Sequence, residues 1–169
     1  IKRIATLNDH YDMYEKNLTQ KIADIYRGVV LVKNVDSVKR VFPNKLAIKL
    51  VLRKPIAMVK SRNATYLVDH EGALLPKEYY ALKDTEYDSP YIQSNKLARL
   101  PLYGSEWNDK GIKAGIALVK FLRANNIHNL FKIVAVDVSG VCNRRSSGKS
   151  DIILWTENNT QIRWGCPPL

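Results

Sequence analysis

Apolar and polar positions alternate most clearly between Ser37 and Gly72. Leu46, Ile48, Leu50 and Leu52 fall on one face at period two, and Ala47, Lys49, Val51 and Arg53 fall on the other. This spacing predicts a strand with one buried side and one mostly wet, basic side. Phe42-Pro43-Asn44-Lys45 predicts a tight turn before it, with proline presetting φ at the first corner and asparagine tolerating the second. A strand over 35–42 leads into that turn. Val35 and Val41 favour one face, Val38 and Phe42 the other, so the pairing admits a bulge. Arg53-Lys54-Pro55 ends the hairpin, because proline cannot donate to a central ladder.

On either side of this stretch the pattern changes period. Residues 11–27 predict a helix with Tyr14, Leu18, Ile22 and Ile25 on one face and Gly28 as its C-cap. The apolar run Val29–Val32 then leads toward the hairpin. Past Pro55, Ile56–Val59 and Thr65–Val68 predict strands joined by the polar turn Lys60-Ser61-Arg62-Asn63. Asp69-His70-Glu71-Gly72 predicts another turn, into Ala73-Leu74-Leu75-Pro76. Residues 77–99 show no clear periodicity and predict an irregular, partly exposed segment, closed by Leu100-Pro101-Leu102-Tyr103-Gly104. A helix over 109–125 follows, capped by Asn108 or Asp109, with Ile112, Ile116, Val119, Leu122 and Phe121 as its buried stripe. Asn125-Asn126 stops it. Lys132–Val138 predicts a strand in which Val134, Val136 and Val138 alternate against Ile133, Ala135 and Asp137. A basic loop, Ser139–Ser150, separates it from a hairpin of Asp151–Thr156 and Gln161–Trp164 over Glu157-Asn158-Asn159-Thr160; the end, Gly165–Leu169, leaves the sheet. The expected class is α+β, a small piece to Pro55 followed by a mostly antiparallel sheet with a packed helix.

Composition narrows the class. A 169-residue chain with 46% hydrophobic residues can bury a core as one ordinary domain or two small ones. No apolar run approaches the roughly 18 residues of a membrane span, and no signal peptide is visible at Ile1, which is not an initiator Met and fits a fragment of a longer protein. The net charge of +11 is uneven. Lys33, Lys39, Arg40, Lys45, Lys49, Arg53, Lys54, Lys60 and Arg62 stand against Asp36 alone, so nine minus one places +8 of the +11 between Lys33 and Arg62. Such a face protects strand edges and keeps the chain soluble, or it meets an anionic membrane surface, an acidic partner or nucleic acid.

Catalytic chemistry is not legible. Gly148-Lys149-Ser150 lacks the glycine five positions earlier that a phosphate loop needs; Asn143 stands there. No HExxH, GxSxG or GxGxxG occurs. Asp69, His70 and Glu71 are adjacent in a turn and point apart. Cys142 and Cys166 form no CxxC, and His10, His70 and His128 lie far from both, so no metal or cofactor site is expected. A disulfide outside the cytoplasm stays open. Trp107, Trp155 and Trp164 suit core or interface anchors better than a cofactor cage.

Val38–Gly72 resembles the bacterial division proteins FtsQ and DivIB. The likeness rests on Val38, Arg40, Pro43, Asn44, Leu46, Ile48 and Leu50, then on Arg53, Pro55 and Ala57, then on Tyr66, Leu67, Val68, Asp69 and Gly72. Leu100–Gly104, the helix at 109–125, Ile133-x-x-Val136-Asp137 and Ile162-Arg163-Trp164-Gly165 extend it over residues 13–169. The resemblance implies a single-pass inner-membrane protein with its bulk on the periplasmic side. It implies a POTRA domain over residues 1–55, its first strand and helix not recognisable, and an FtsQ-type β domain over 56–169, truncated at its C-terminus. It implies a non-enzymatic scaffold that binds FtsB and FtsL by strand addition, and other division proteins through the POTRA domain. Leu52 stands where the family has a glutamate before Arg53. The expected surfaces are a basic face of Arg40, Lys49, Arg53 and Lys54 for partner or membrane, Trp155 and Trp164 for partners, and a domain junction of Arg53, Pro55, Ala57, Tyr66, Asp69 and Gly72. A POTRA-type module of an outer-membrane assembly or secretion system and a basic nucleic-acid-binding domain are the alternatives.

Overall fold

The computed structural model describes residues 11–61, 64–80, 89–95, 99–141 and 152–165. The chain is α+β and divides into two compact units, Ile1–Arg53 and Lys54–Leu169.

The first unit holds helix α1 (Leu18–Arg27) and strands β1 (Val32–Val41) and β2 (Lys45–Leu52). The helix starts later than the periodicity of 11–27 predicts, and Tyr14 is 78% exposed. The reason is local. The Asp12 carboxylate accepts the Tyr14 N–H at 2.9 Å, a side-chain turn that competes with helix formation. Of the predicted stripe Leu18 and Ile22 are buried, Ile25 is only half-buried, and Ala23 is buried with them. Gly28 caps the helix at φ −76°, ordinary right-handed backbone.

β1 and β2 pair antiparallel, with irregularities between Val32 and Asn34 and between Val35 and Ser37. These bulges correct the predicted faces. Val35 stands opposite Leu50 and Val38 opposite Ile48, so Val35 and Val38 share the α1 side although they are three residues apart. Ala23, Val32 and Val35 form the small core there, joined by Tyr26, Val29, Val38 and Leu50. Leu46, Ile48 and Leu50 keep the predicted face but are only half-buried, and Leu52 is exposed. The Phe42–Pro43 peptide bond is cis.

The second unit is a seven-stranded sheet in the order β5-β4-β3-β6-β7-β8-β9 among the described residues. The strands are β3 (Pro55–Ser61), β4 (Ala64–Asp69), β5 (Leu74–Leu75), β6 (Tyr91–Gln93), β7 (Ile133–Asp137), β8 (Ile152–Thr156) and β9 (Gln161–Gly165). Lys60 and Ser61, expected in a turn, extend β3 and pair with Thr65 and Ala64. A larger correction falls at β6. Part of the segment expected to be irregular lies at the middle of the sheet, parallel to β3 and to β7. Such a short strand offers no run of alternation to detect. Arg62, Asn63, residues 81–88, the loop 142–151 and Cys166 lie outside the described residues, so the cysteine pairing does too.

Helix α2 (Lys110–Ala124) begins at Asp109, whose carboxylate accepts the Ile112 N–H at 3.0 Å. Its Ile112, Ile116, Val119 and Leu122 pack on Val59, Ile92, Val136 and Leu154, which line up across β3, β6, β7 and β8. Phe121, expected in that stripe, is turned out and 47% exposed. A short helix α3 (Ile127–Leu130), not predicted, follows Asn126, which takes the left-handed conformation at φ 53°. In β7, Val136 is buried, as is Val138 just past its end, but so are Ile133 and Ala135, while Val134 is exposed. An interior strand is covered on both faces, so simple alternation fails there.

Candidate functional site

The junction residues of the sequence do separate jobs. Arg53 belongs to the first unit and donates its backbone N–H to the Leu31 carbonyl at 2.8 Å. Pro55 opens β3 opposite Asp69, and Ala57 is buried opposite Val68. Tyr66, Asp69 and Gly72 come together around the turn from β4 to β5. The Asp69 carboxylate is buried and accepts N–H bonds from Glu71 at 2.9 Å and Ala73 at 2.8 Å. Gly72 has φ +80°, where a side chain is strained. Its carbonyl accepts the backbone N–H of Trp107 at 2.8 Å, and the Trp107 ring meets Tyr66 edge-on at 5.6 Å. Trp107 is fully buried. The Tyr66–Gly72 stretch is therefore a turn clamped against a buried tryptophan.

The four basic residues do not form one face. Arg40 lies on the α1 side opposite Leu46, and its guanidinium donates to the Glu15 carbonyl. Lys49 lies on the outer side opposite Ser37, with its Nζ 3.8 Å from the Asp36 carboxylate. Arg53 is half-buried past the end of β2, and Lys54 is exposed in the second unit. The outer side instead carries Lys39, Val41, Lys45, Ala47 and Lys49, all exposed. Lys39 and Lys45 belong to this face although the sequence does not single them out. Their shared face depends on the register of the hairpin, which periodicity alone left open.

The two candidate tryptophans also part. Trp155 stands opposite Ala135, away from α2, and its indole nitrogen is buried without a hydrogen-bond partner among the described residues. Trp164, 43% exposed, lies on β9 and stacks obliquely on Phe121 of α2 with ring centroids 5.7 Å apart. Among the described residues β9 has a strand neighbour on one side only. The result is a strand edge beside an exposed aromatic pair.

A concave site of about 540 Å³ lies between β3, β6, β7 and α3. Its polar groups are already engaged. Lys60 sits 3.9 Å above the Tyr91 ring, Lys132 pairs with Glu157 at 3.5 Å, and His128 Nδ1 donates to the Leu122 carbonyl at 3.2 Å. No nucleophile or paired carboxylate converges there, and the described residues hold no cluster suited to a metal ion. Among them no helix is long and apolar enough to cross a membrane. Compared with known proteins, the chain matches no family model and no curated protein sequence.

Proposed function

We propose that this chain is a non-enzymatic scaffold of the FtsQ or DivIB type, which binds FtsB- and FtsL-like division proteins outside the cytoplasm. The observation that carries the proposal is the exposed aromatic pair Phe121 and Trp164 beside β9, a strand with a neighbour on one side only among the described residues. An open edge offers unpaired backbone groups to an incoming strand, and neighbouring apolar side chains give that strand a register. Two further features support the reading. The helix-strand-strand order of the first unit is that expected for the end of a POTRA domain, and the residues that carry the family likeness at Tyr66–Gly72 occupy a well-defined turn.

The test is co-purification of the whole gene product with the FtsB- and FtsL-like proteins of the same organism. Wild type should retain the pair. Phe121→Asp with Trp164→Asp should weaken binding by about tenfold or more, since losing a buried aromatic anchor at an interface costs about 2 kcal/mol or more. Absence of binding by wild type would overturn the proposal.

A further inference from the structure

We propose that the tip of the β1–β2 hairpin is a membrane-surface finger that seats Phe42 among the headgroups of anionic lipid. The proposal is independent of the division role, because it rests on the hairpin alone.

The tip is apolar and exposed. Val41 is 44% and Phe42 82% exposed, and Pro43 and Asn44 are exposed beside them. A soluble hairpin gains nothing from an aromatic ring at its apex, where a polar turn residue would serve. Basic residues flank that ring in the sequence. Lys39 and Arg40 precede it and Lys45 follows, and no acidic residue occurs between Asp36 and Asp69. The acid that does lie on the hairpin, Asp36, is held near Lys49, toward the far end. Charge along the hairpin itself is therefore polarised, and Lys39 and Lys45 beside its apex form no ion pair among the described residues.

Geometry suits a flat anionic surface. Lys45 to Leu52 spans about 24 Å of strand at 3.4 Å per residue, and the chain leaves the unit at Leu52, so the apex is the end remote from that exit. The Arg40 guanidinium on the Glu15 carbonyl ties the strand to the segment before α1 and orients the finger. Lysine stems can run along the bilayer surface while their ammonium groups reach phosphate. An aromatic ring favours the headgroup region, and an apolar side chain beside basic ones describes an interfacial contact and not a span. Nucleic acid fits less well. A ribbon that binds strands needs aromatic rings for several bases, and Phe42 is the sole aromatic residue from Val32 to Arg53. An acidic protein would use the lysines but leave the exposed ring unexplained.

The experiment is co-sedimentation of the chain with phosphatidylcholine vesicles, with and without phosphatidylglycerol. Wild type should sediment only with the anionic vesicles. Lys39→Glu with Lys45→Glu should lower the partition coefficient by a hundredfold or more, since each basic residue near an anionic surface is worth about fivefold and each reversal also adds repulsion. Phe42→Ser should lower it by about tenfold, and Phe42→Leu should restore most of it. All three positions are exposed, and an unchanged circular dichroism spectrum verifies each fold. Wild type that ignores anionic vesicles overturns the proposal. So does a Phe42→Ser variant that binds like wild type, which would reduce the finger to a diffuse charge, as would wild-type retention on an acidic protein or oligonucleotide matrix without any retention on vesicles.

Discussion

Asp69 shows how a catalytic-looking residue earns its place by structure. It stands beside His70 and Glu71, yet its carboxylate is buried under its own turn and accepts two backbone N–H groups, from Glu71 and Ala73. Hydrogen bonds to a charged group contribute roughly 1.5–3 kcal/mol each, and a donor stranded in the interior costs about as much again. Asp69→Ala should therefore destabilise the second unit by about 3 kcal/mol, while Asp69→Asn, which keeps an acceptor oxygen, should cost about 1–2 kcal/mol. Urea unfolding of the two variants checks this, and an Ala variant no worse than Asn would dissolve the turn argument. The turn itself was legible, because Asp and Gly at that spacing demand a tight reversal. Its partner was not. Trp107 lies a full segment away in sequence, and only the fold brings its N–H to the Gly72 carbonyl at 2.8 Å. Arg40 and Lys49 make the same point. Their charge was visible, but the bulges of β1 decide which side of the ribbon each one takes.

Among the elements, legibility followed length. α2 and the strands β2, β4 and β8 have enough residues for a period to declare itself. β6 and α3 do not, although β6 sits at the middle of the sheet. What fixes β6 is contact with α2 at Gly115, where a Cβ would stand 2.9 Å from Ile92 Cγ2. Helical glycine is otherwise costly by about 1 kcal/mol relative to alanine. Its presence marks an approach too close for any side chain. Gly115→Ala should thus lower stability by about 1 kcal/mol, the overpacking cost of roughly 1–3 kcal/mol outweighing the gain in helix propensity. Ala117→Gly, on the exposed side of α2, should cost a similar amount through propensity alone. A truncated neighbour separates the two causes. Ile92→Ala, which removes both γ carbons and Cδ1, should relieve Gly115→Ala and leave Ala117→Gly untouched in a double-mutant cycle, and equal coupling in both would remove the close-approach account.

At the scale of the whole molecule, the two units have unequal means of holding themselves together. Among the described residues the first buries only Leu18, Ile22, Ala23, Val32 and Val35, on a two-stranded ribbon whose Leu52, Val51 and Val41 stay exposed. The second buries a continuous layer between α2 and the sheet, including Trp107, Ile92, Val136 and Leu154. A two-stranded ribbon is marginal by itself and leans on the helix packed against it. The first unit should therefore open at lower denaturant than the second, with a smaller slope because it exposes less surface. The sequence supplies a clean reporter. Trp107, Trp155 and Trp164 all lie after Lys54, so tryptophan fluorescence follows the second unit alone, whereas far-ultraviolet circular dichroism follows both. In urea the dichroism signal should begin to fall before the fluorescence changes, and amide exchange should be faster in β1 and β2 than in β3 and β7. Coincident transitions by both probes would mean one cooperative block, and the hairpin finger would then be carried on a scaffold as stable as the sheet.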